Sequence, residues 1–324
     1  MSPADGVPLI PVRTPDRPGP GPTPEALLRA LDVVVRRRVE AILAGEYRSN
    51  SVGIGTELAQ IRPYQPGDDV RRIDWNVTAR TREPHVRDQV AERALVSWLV
   101  LDTSPSMCFG TATRRKADVA EGVALAVGHL ATRRGNRLGI TTFGDDDPRT
   151  IPPRQGRMGL MGLLTSLRHE PQLEGGGATS LGEALGRTAR LAHSRSLIFV
   201  VSDFRGPRDW RPAVLSLAGR HDVVAVEIRD RREQELPDVG ELWLVDPETG
   251  RYLRVDTSRR KLRETFNAAA EAERQGLIAE LRRCGVDHVL LWTEGDWLRT
   301  FAGFLRHRIV GSSTAVAIPG RGWR

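Results

Sequence analysis

A chain of 324 residues, 40% hydrophobic and 27% charged, can bury one large core plus an appendage, and its composition is that of a globular protein rather than a fibrous or disordered one. The formal charge of +7 comes from 48 basic residues, all arginine except Lys116 and Lys261, interleaved with 41 acidic ones, a pattern that argues against a nucleic-acid footprint. Two distant cysteines, Cys108 and Cys284, exclude a disulfide framework and a zinc site; with no apolar run near the ~20 residues a bilayer needs and no secretion signal, a cytoplasmic protein without a membrane span is expected.

Residues 1–24 hold eight prolines and three glycines and cannot bury enough surface to offset ordering entropy, so a disordered tail is expected. Thr23-Pro24-Glu25 then opens a helical pattern in which Leu27, Leu28, Leu31, Val34, Val35, Val39, Ile42 and Leu43 share a face up to Gly45, with Arg36-Arg37-Arg38 beside the stripe as a solvated face. Between 50 and 93 stands a dense signature: Gly53-x-Gly55-x-Glu57, then Arg62-Pro63-Tyr64-Gln65-Pro66-Gly67-Asp68-Asp69-Val70-Arg71-Arg72-Ile73-Asp74-Trp75, then Ala79-Arg80. Pro66-Gly67 marks a turn, and the alternating aspartates and arginines can form charge-assisted pairs. The reading is a small β-rich appendage locked to the main domain by such pairs and by a buried Trp75. Arg62, Tyr64, Asp68, Asp69, Arg72, Asp74, Trp75 and Arg80 are the candidates for a partner surface if it is not merely structural.

Val96 to Asp102 is apolar almost throughout, as suits a strand buried on both faces of a parallel sheet. There follow a helix over Lys116–Arg134, a strand over Arg137–Phe143, an edge strand near Thr150, helices over Leu160–Leu167 and Ser180–Ala192, a strand over Leu197–Asp203, a helix over Asp209–Ala218 and a strand over Asp222–Ile228. Such alternation predicts an α/β fold, a doubly wound and mainly parallel sheet with right-handed crossovers. Asp145-Asp146-Asp147-Pro148 reads as a solvated turn that could alternatively hold a cation. Two apolar runs around Pro247-Glu248-Thr249-Gly250 predict a hairpin at 241–256 inserted in the domain. A long helix from Ser258 to Cys284, a buried strand over Val286–Trp292 and a closing helix over Asp296–Ile309 complete the domain at about 94–310, and 311–324 reads as a second tail.

The chemistry gathers where the first buried strand ends. Asp102, Ser104 and Ser106 alternate, so a tight turn can bring one carboxylate and two hydroxyls to a point at the carboxyl end of the sheet, where such folds bind ligands. Thr179, in Gly175-Gly176-Gly177-Ala178-Thr179-Ser180, and Asp203, closing the strand Ile198–Asp203, complete an oxygen-only set, which selects a hard cation, Mg²⁺ or Mn²⁺. With D-x-S-x-S at Asp102, Ser104 and Ser106, a loop threonine at Thr179 and a strand-end aspartate at Asp203, the chain resembles a von Willebrand factor A domain carrying a metal-ion-dependent adhesion site. That resemblance implies hydroxyls on the metal, aspartates acting directly or through water, and one coordination position open for an acidic residue of a partner.

The signature at 53–80 together with this motif resembles the bacterial family called domain of unknown function 58, over about residues 45–310. Its genes often lie beside those of MoxR-type AAA+ ATPases, and the membrane helices that precede the domain in many relatives are not seen here. The resemblance implies a protein partner, a MoxR-type AAA+ ATPase or that ATPase's substrate, and an adaptor or co-chaperone role. The alternative is a metal-assisted hydrolase, phosphatase-like, using the same Asp/Ser/Thr cluster. Against catalysis, a phosphatase with an aspartyl nucleophile would want a carboxylate where Ser104 stands, neither serine lies in G-x-S-x-G, and no phosphate-binding G-x-x-x-x-G-K-[ST] occurs.

Overall fold

The computed structural model describes residues 18–21, 57–90, 96–131, 136–145, 147–155, 180–245 and 252–312. The helix expected after Thr23, the Arg36–Arg38 triplet, the Gly53-x-Gly55 motif, the helix at 160–167 and the Gly175–Thr179 loop lie outside them. Two compact units emerge, Val39–Ala94 and Met1–Arg38 with Leu95–Arg324.

In the smaller unit, β1 (Glu57–Pro63) pairs antiparallel with β2 (His85–Val90), and the segment between carries a single 3₁₀ turn at Val70–Arg72 and a short helix, α1 (Trp75–Thr81). Asp69 caps the first by accepting from Arg71 N at 3.0 Å, and Asp74 caps the second by accepting from Asn76 N and Val77 N at 3.0 and 3.2 Å. The same aspartate takes Arg87 Nε at 2.7 Å, and Arg62 grips Asp68 at 2.7 and 2.8 Å through both terminal nitrogens, a bidentate geometry. Charge-assisted pairs therefore tie the unit together. Trp75 does not: it sits at the first position of α1 and is 71% exposed, which corrects the expectation of a buried indole.

In the larger unit six strands form one sheet among the described residues, in the order β10 (Asp287–Trp292), β7 (Asp222–Arg229), β6 (Ser196–Ser202), β3 (Val96–Asp102), β4 (Arg137–Phe143), β5 (Thr150–Gln155). All neighbours run parallel except β5, which runs antiparallel to β4 at the edge. The fold is α/β with a mostly parallel central sheet, and β3 and β6 are buried along almost their whole length because helices cover both faces. Trp98, Val100, Ile198, Val200, Val223 and Ala225 pack against α3 (Leu181–Leu191), α4 (Arg211–Ala218) and α5 (Arg260–Arg283). On the opposite face lies α6 (Trp297–Ser312), whose Phe301 ring meets Phe199 edge-on at 6.1 Å, together with α2 (Lys116–Ala131). Gly139 on β4 lies under the Trp98 indole, where a Cβ would come within 2.7 Å of ring carbons, so only glycine admits that ring.

The hairpin β8 (Glu241–Val245) and β9 (Tyr252–Asp256) forms a separate two-stranded ladder. Residues 18–21, placed in a disordered tail on composition alone, have a partner instead: the Pro20 carbonyl accepts from the buried Trp297 Nε1 at 3.1 Å. An indole N–H removed from water requires an acceptor, and this one is supplied by the chain's own proline-rich segment. Among the described residues no helix is long and apolar enough to cross a membrane.

Candidate metal centre

The chain lays down β3, steps outward to β4 and β5, then returns to place β6 on the other side of β3 and continues to β7 and β10. The strand order therefore reverses between β3 and β6, and in open parallel sheets the crevice beyond the carboxyl ends at such a reversal is the ligand site. Asp102 ends β3 and Asp203 follows β6 directly, so two aspartates 101 positions apart in sequence, 203 minus 102, face the same crevice.

A 3₁₀ turn at Pro105–Cys108 folds the D-x-S-x-S segment back over the strand end. Ser104 N donates to Asp102 Oδ1 at 3.0 Å, the hydroxyls of Ser104 and Ser106 lie 2.9 Å apart, and Ser106 also hydrogen-bonds Asp203. Ser202 Oγ donates to Asp102 Oδ2 at 2.5 Å, joining the two strand ends. Gly144, at φ +89°, makes room for the turn, since a Cβ there would fall 2.7 Å from Ser104 Cβ. Asp102, Ser104, Ser106 and Asp203 are all buried and line one cavity of about 310 Å³. Thr179 lies outside the described residues; its neighbour Ser180 lines the cavity and caps α3 by accepting from Glu183 N at 3.1 Å.

Lys116, at the start of α2, is completely buried, and its Nζ donates to Asp203 Oδ2 and to Glu233 Oε1, each at 2.6 Å. Asp203 Oδ1 accepts from Arg205 N at 3.1 Å. The two carboxyls are therefore shifted in opposite directions. Burial, aided by the neighbouring Asp203 charge, pushes the Asp102 carboxyl up to about 7 against the pull of the Ser104 and Ser202 hydrogen bonds. Burial acts the same way on Asp203, but the Lys116 ammonium outweighs it and holds that carboxyl below its ordinary value. For Lys116 the loss of hydration lowers the pKa, and the two carboxylates more than restore it.

The sequence motif did not point to Lys116, Ser202 or Glu233. One signal was available: Lys116 is one of two lysines among 48 basic residues. The Asp145–Asp147 turn is engaged in local bonds: Asp145 Oδ2 lies 2.9 Å from Thr103 Oγ1, and Asp147 pairs with Arg149 at 2.9 Å, while Asp146 lies outside the described residues. Of the signature residues, Asp68, Asp69, Asp74 and Arg62 are committed to caps and ion pairs, Tyr64 and Arg72 are half-buried, and Trp75 and Arg80 are exposed.

Two carboxylates and two hydroxyls, with neither sulfur nor imidazole among them, suit a hard cation. A buried carboxyl raised to about 7, first by burial and further by a like charge, marks the place where a divalent ion would relieve both. Among the described residues no group of three or more His, Cys, Asp or Glu is placed to hold a metal, so a cation here depends on the serine hydroxyls. Lys116 holds Asp203 Oδ2 and Arg205 N holds Oδ1, so this centre carries less negative charge than the motif alone implies.

Among solved structures, the conserved hypothetical protein BatB from Bacteroides thetaiotaomicron is similar at 13% identity and a TM-score of 0.42, covering 67% of this chain and 100% of that one. A von Willebrand factor type A structure from Catenulispora acidiphila aligns at 14% identity and a TM-score of 0.35, covering 68% and 43% of the two chains. An uncharacterized protein of Mycobacterium tuberculosis and another of Mycobacterium bovis are each 38% identical over 289 residues, which is 89% of this chain and 90% of theirs. Residues 60–276 match the family described as "Protein of unknown function DUF58", and with that extent of agreement the chain belongs to it.

Proposed function

We propose that this protein is a metal-dependent protein-interaction module, in which Asp102, Ser104, Ser106 and Asp203, joined by Thr179, hold Mg²⁺ or Mn²⁺ as a metal-ion-dependent adhesion site. The observation that carries the reading is the convergence of four buried oxygen-bearing side chains at the reversal point of the sheet, on the wall of an open cavity. When bound, the ion supplies a positive centre with an exchangeable position for a carboxylate. The chain's own residues do the rest. Ser202 fixes the Asp102 rotamer, Lys116 fixes Asp203, and Gly144 keeps the turn close to both. The partner class is a protein presenting an aspartate or glutamate, and the family resemblance favours a MoxR-type AAA+ ATPase or its substrate.

Calorimetric titration with Mg²⁺ and Mn²⁺ tests the site: wild type is expected to take up one ion, and Asp102→Asn, which keeps the shape but loses the charge, to lose at least about tenfold in affinity, roughly 1.4 kcal/mol. Equal uptake by both proteins would overturn it. The partner is tested by affinity for a co-expressed MoxR-type ATPase with Mg²⁺ and with EDTA; an interaction indifferent to EDTA and to Thr179→Ala would move the search to the surface carrying Tyr64, Arg72, Trp75 and Arg80.

A further inference from the structure

The cavity at the cation site has two kinds of wall. Asp102, Ser104, Ser106 and Asp203 supply polar lining, whereas Phe143, Leu181, Phe204, Pro207 and Trp210 supply apolar lining. We propose that the apolar side is a side-chain pocket, and that the partner segment whose carboxylate reaches the cation places a branched aliphatic or aromatic residue, adjacent to that Asp or Glu, against it. The inference rests on the cation reading above and adds to it the class of sequence recognised.

Three observations support it. The apolar wall is built: Phe204 and Trp210 are buried and meet edge-on at 6.1 Å and 73°. Phe204 stands at φ +55°, a left-handed conformation uncommon for a bulky residue, and its N–H donates at 2.9 Å to the Ser202 hydroxyl that also holds Asp102. One hydroxyl thus orients both the pocket wall and the cation ligand, so the two features are registered against each other. The size also fits, since 310 Å³ is at the small end of the roughly 300–1,000 Å³ of ligand pockets, room for a side chain and its neighbour rather than for a folded element. Charge supplies the third: Arg205, 3.6 Å from Glu233, is on the cavity lining, and with the cation proposed above it makes an acidic, apolar segment the complementary occupant.

Gly206 lines the same cavity and a Cβ there meets nothing within 4 Å, so Gly206→Phe has room for its ring at the cavity and is the variant chosen to occlude the pocket. The full chain is first titrated with Mg²⁺ by calorimetry, then, saturated with Mg²⁺, with acetate, 4-methylpentanoate and 4-methylpentanamide by ligand-observed NMR. The branched acid is expected to bind at least about tenfold tighter than acetate, from the apolar surface it buries. The amide is expected to bind at least about tenfold weaker than the acid, and EDTA to abolish the preference. Gly206→Phe should take up Mg²⁺ as wild type does and bind both acids alike; Pro207→Phe replaces it if its melting curve shows misfolding. Acetate and the branched acid binding equally, the amide matching the acid, or the occluding variant retaining the preference would each overturn the pocket while leaving Mg²⁺ uptake intact. Absence of Mg²⁺ uptake in the first titration overturns the cation reading and the pocket together.

Discussion

Removing the Lys116 ammonium would leave Asp203 and Glu233 as neighbouring buried carboxylates without the cation between them, because both 2.6 Å contacts come from one nitrogen. Breaking a buried pair of this kind typically costs about 3–5 kcal/mol, and at roughly 2–4 °C per kcal/mol for a unit of this size Lys116→Met is expected to melt about 6–20 °C below wild type in EDTA. Adding Glu233→Gln should restore part of the loss, since it removes one of the two stranded charges. Mg²⁺ should raise the melting temperature of Lys116→Met by more than that of wild type, because Asp203 Oδ2 is then free of the ammonium and can serve the ion. A Lys116→Met protein with wild-type melting would mean the ammonium contributes nothing to the charge balance of the centre.

The elements show where local pattern suffices. The strands β3, β4, β6 and β7 were legible because a strand buried on both faces must be apolar at successive positions, and their ends, like those of the half-buried edge strand β10, fall within a residue or so of those read from the sequence. The short helix α1 shows the limit of the same reasoning. Asp74 caps it and so fixes Trp75 at the first position, where the indole is 71% exposed; hydrophobicity gave the residue type but not the direction it faces. Trp75→Ala is accordingly expected to shift the melting temperature by no more than the equivalent of about 0.5 kcal/mol, the range of ordinary surface substitutions. Asp74→Ala removes both the cap and the Arg87 pair, and is expected to speed hydrogen exchange along β1 and β2 in the intact chain. A large melting shift for Trp75→Ala would show that the ring is covered in solution.

At the scale of the molecule, buried Asp230 joins three separate parts of the main unit: it accepts from Thr111 N and Oγ1 at 2.8 and 2.6 Å, from Thr293 Oγ1 at 2.7 Å and from Arg232 N at 2.9 Å. Burial alone would push its carboxyl up, but the Thr111 and Thr293 bonds hold it below its ordinary value. A carboxyl lowered on folding contributes stability that is present above its unfolded value of about 3.9 and lost as pH falls through the lower folded value. Asp230→Asn should therefore be less stable than wild type at pH 7 and show a shallower loss of melting temperature between pH 5 and pH 3; an unchanged acid limb would assign that loss to other carboxylates. By itself the sequence determined the alternation of strands and helices and the D-x-S-x-S segment at a strand end, because periodicity and spacing act over a few neighbouring residues. Only the tertiary structure decided that Ser202 would meet Asp102 across 100 positions, and that Lys116 would sit between Asp203 and Glu233, 87 and 117 positions away. Those contacts shift the two carboxyls in opposite directions, since the strength of a charge in a buried site depends on what has displaced the water around it.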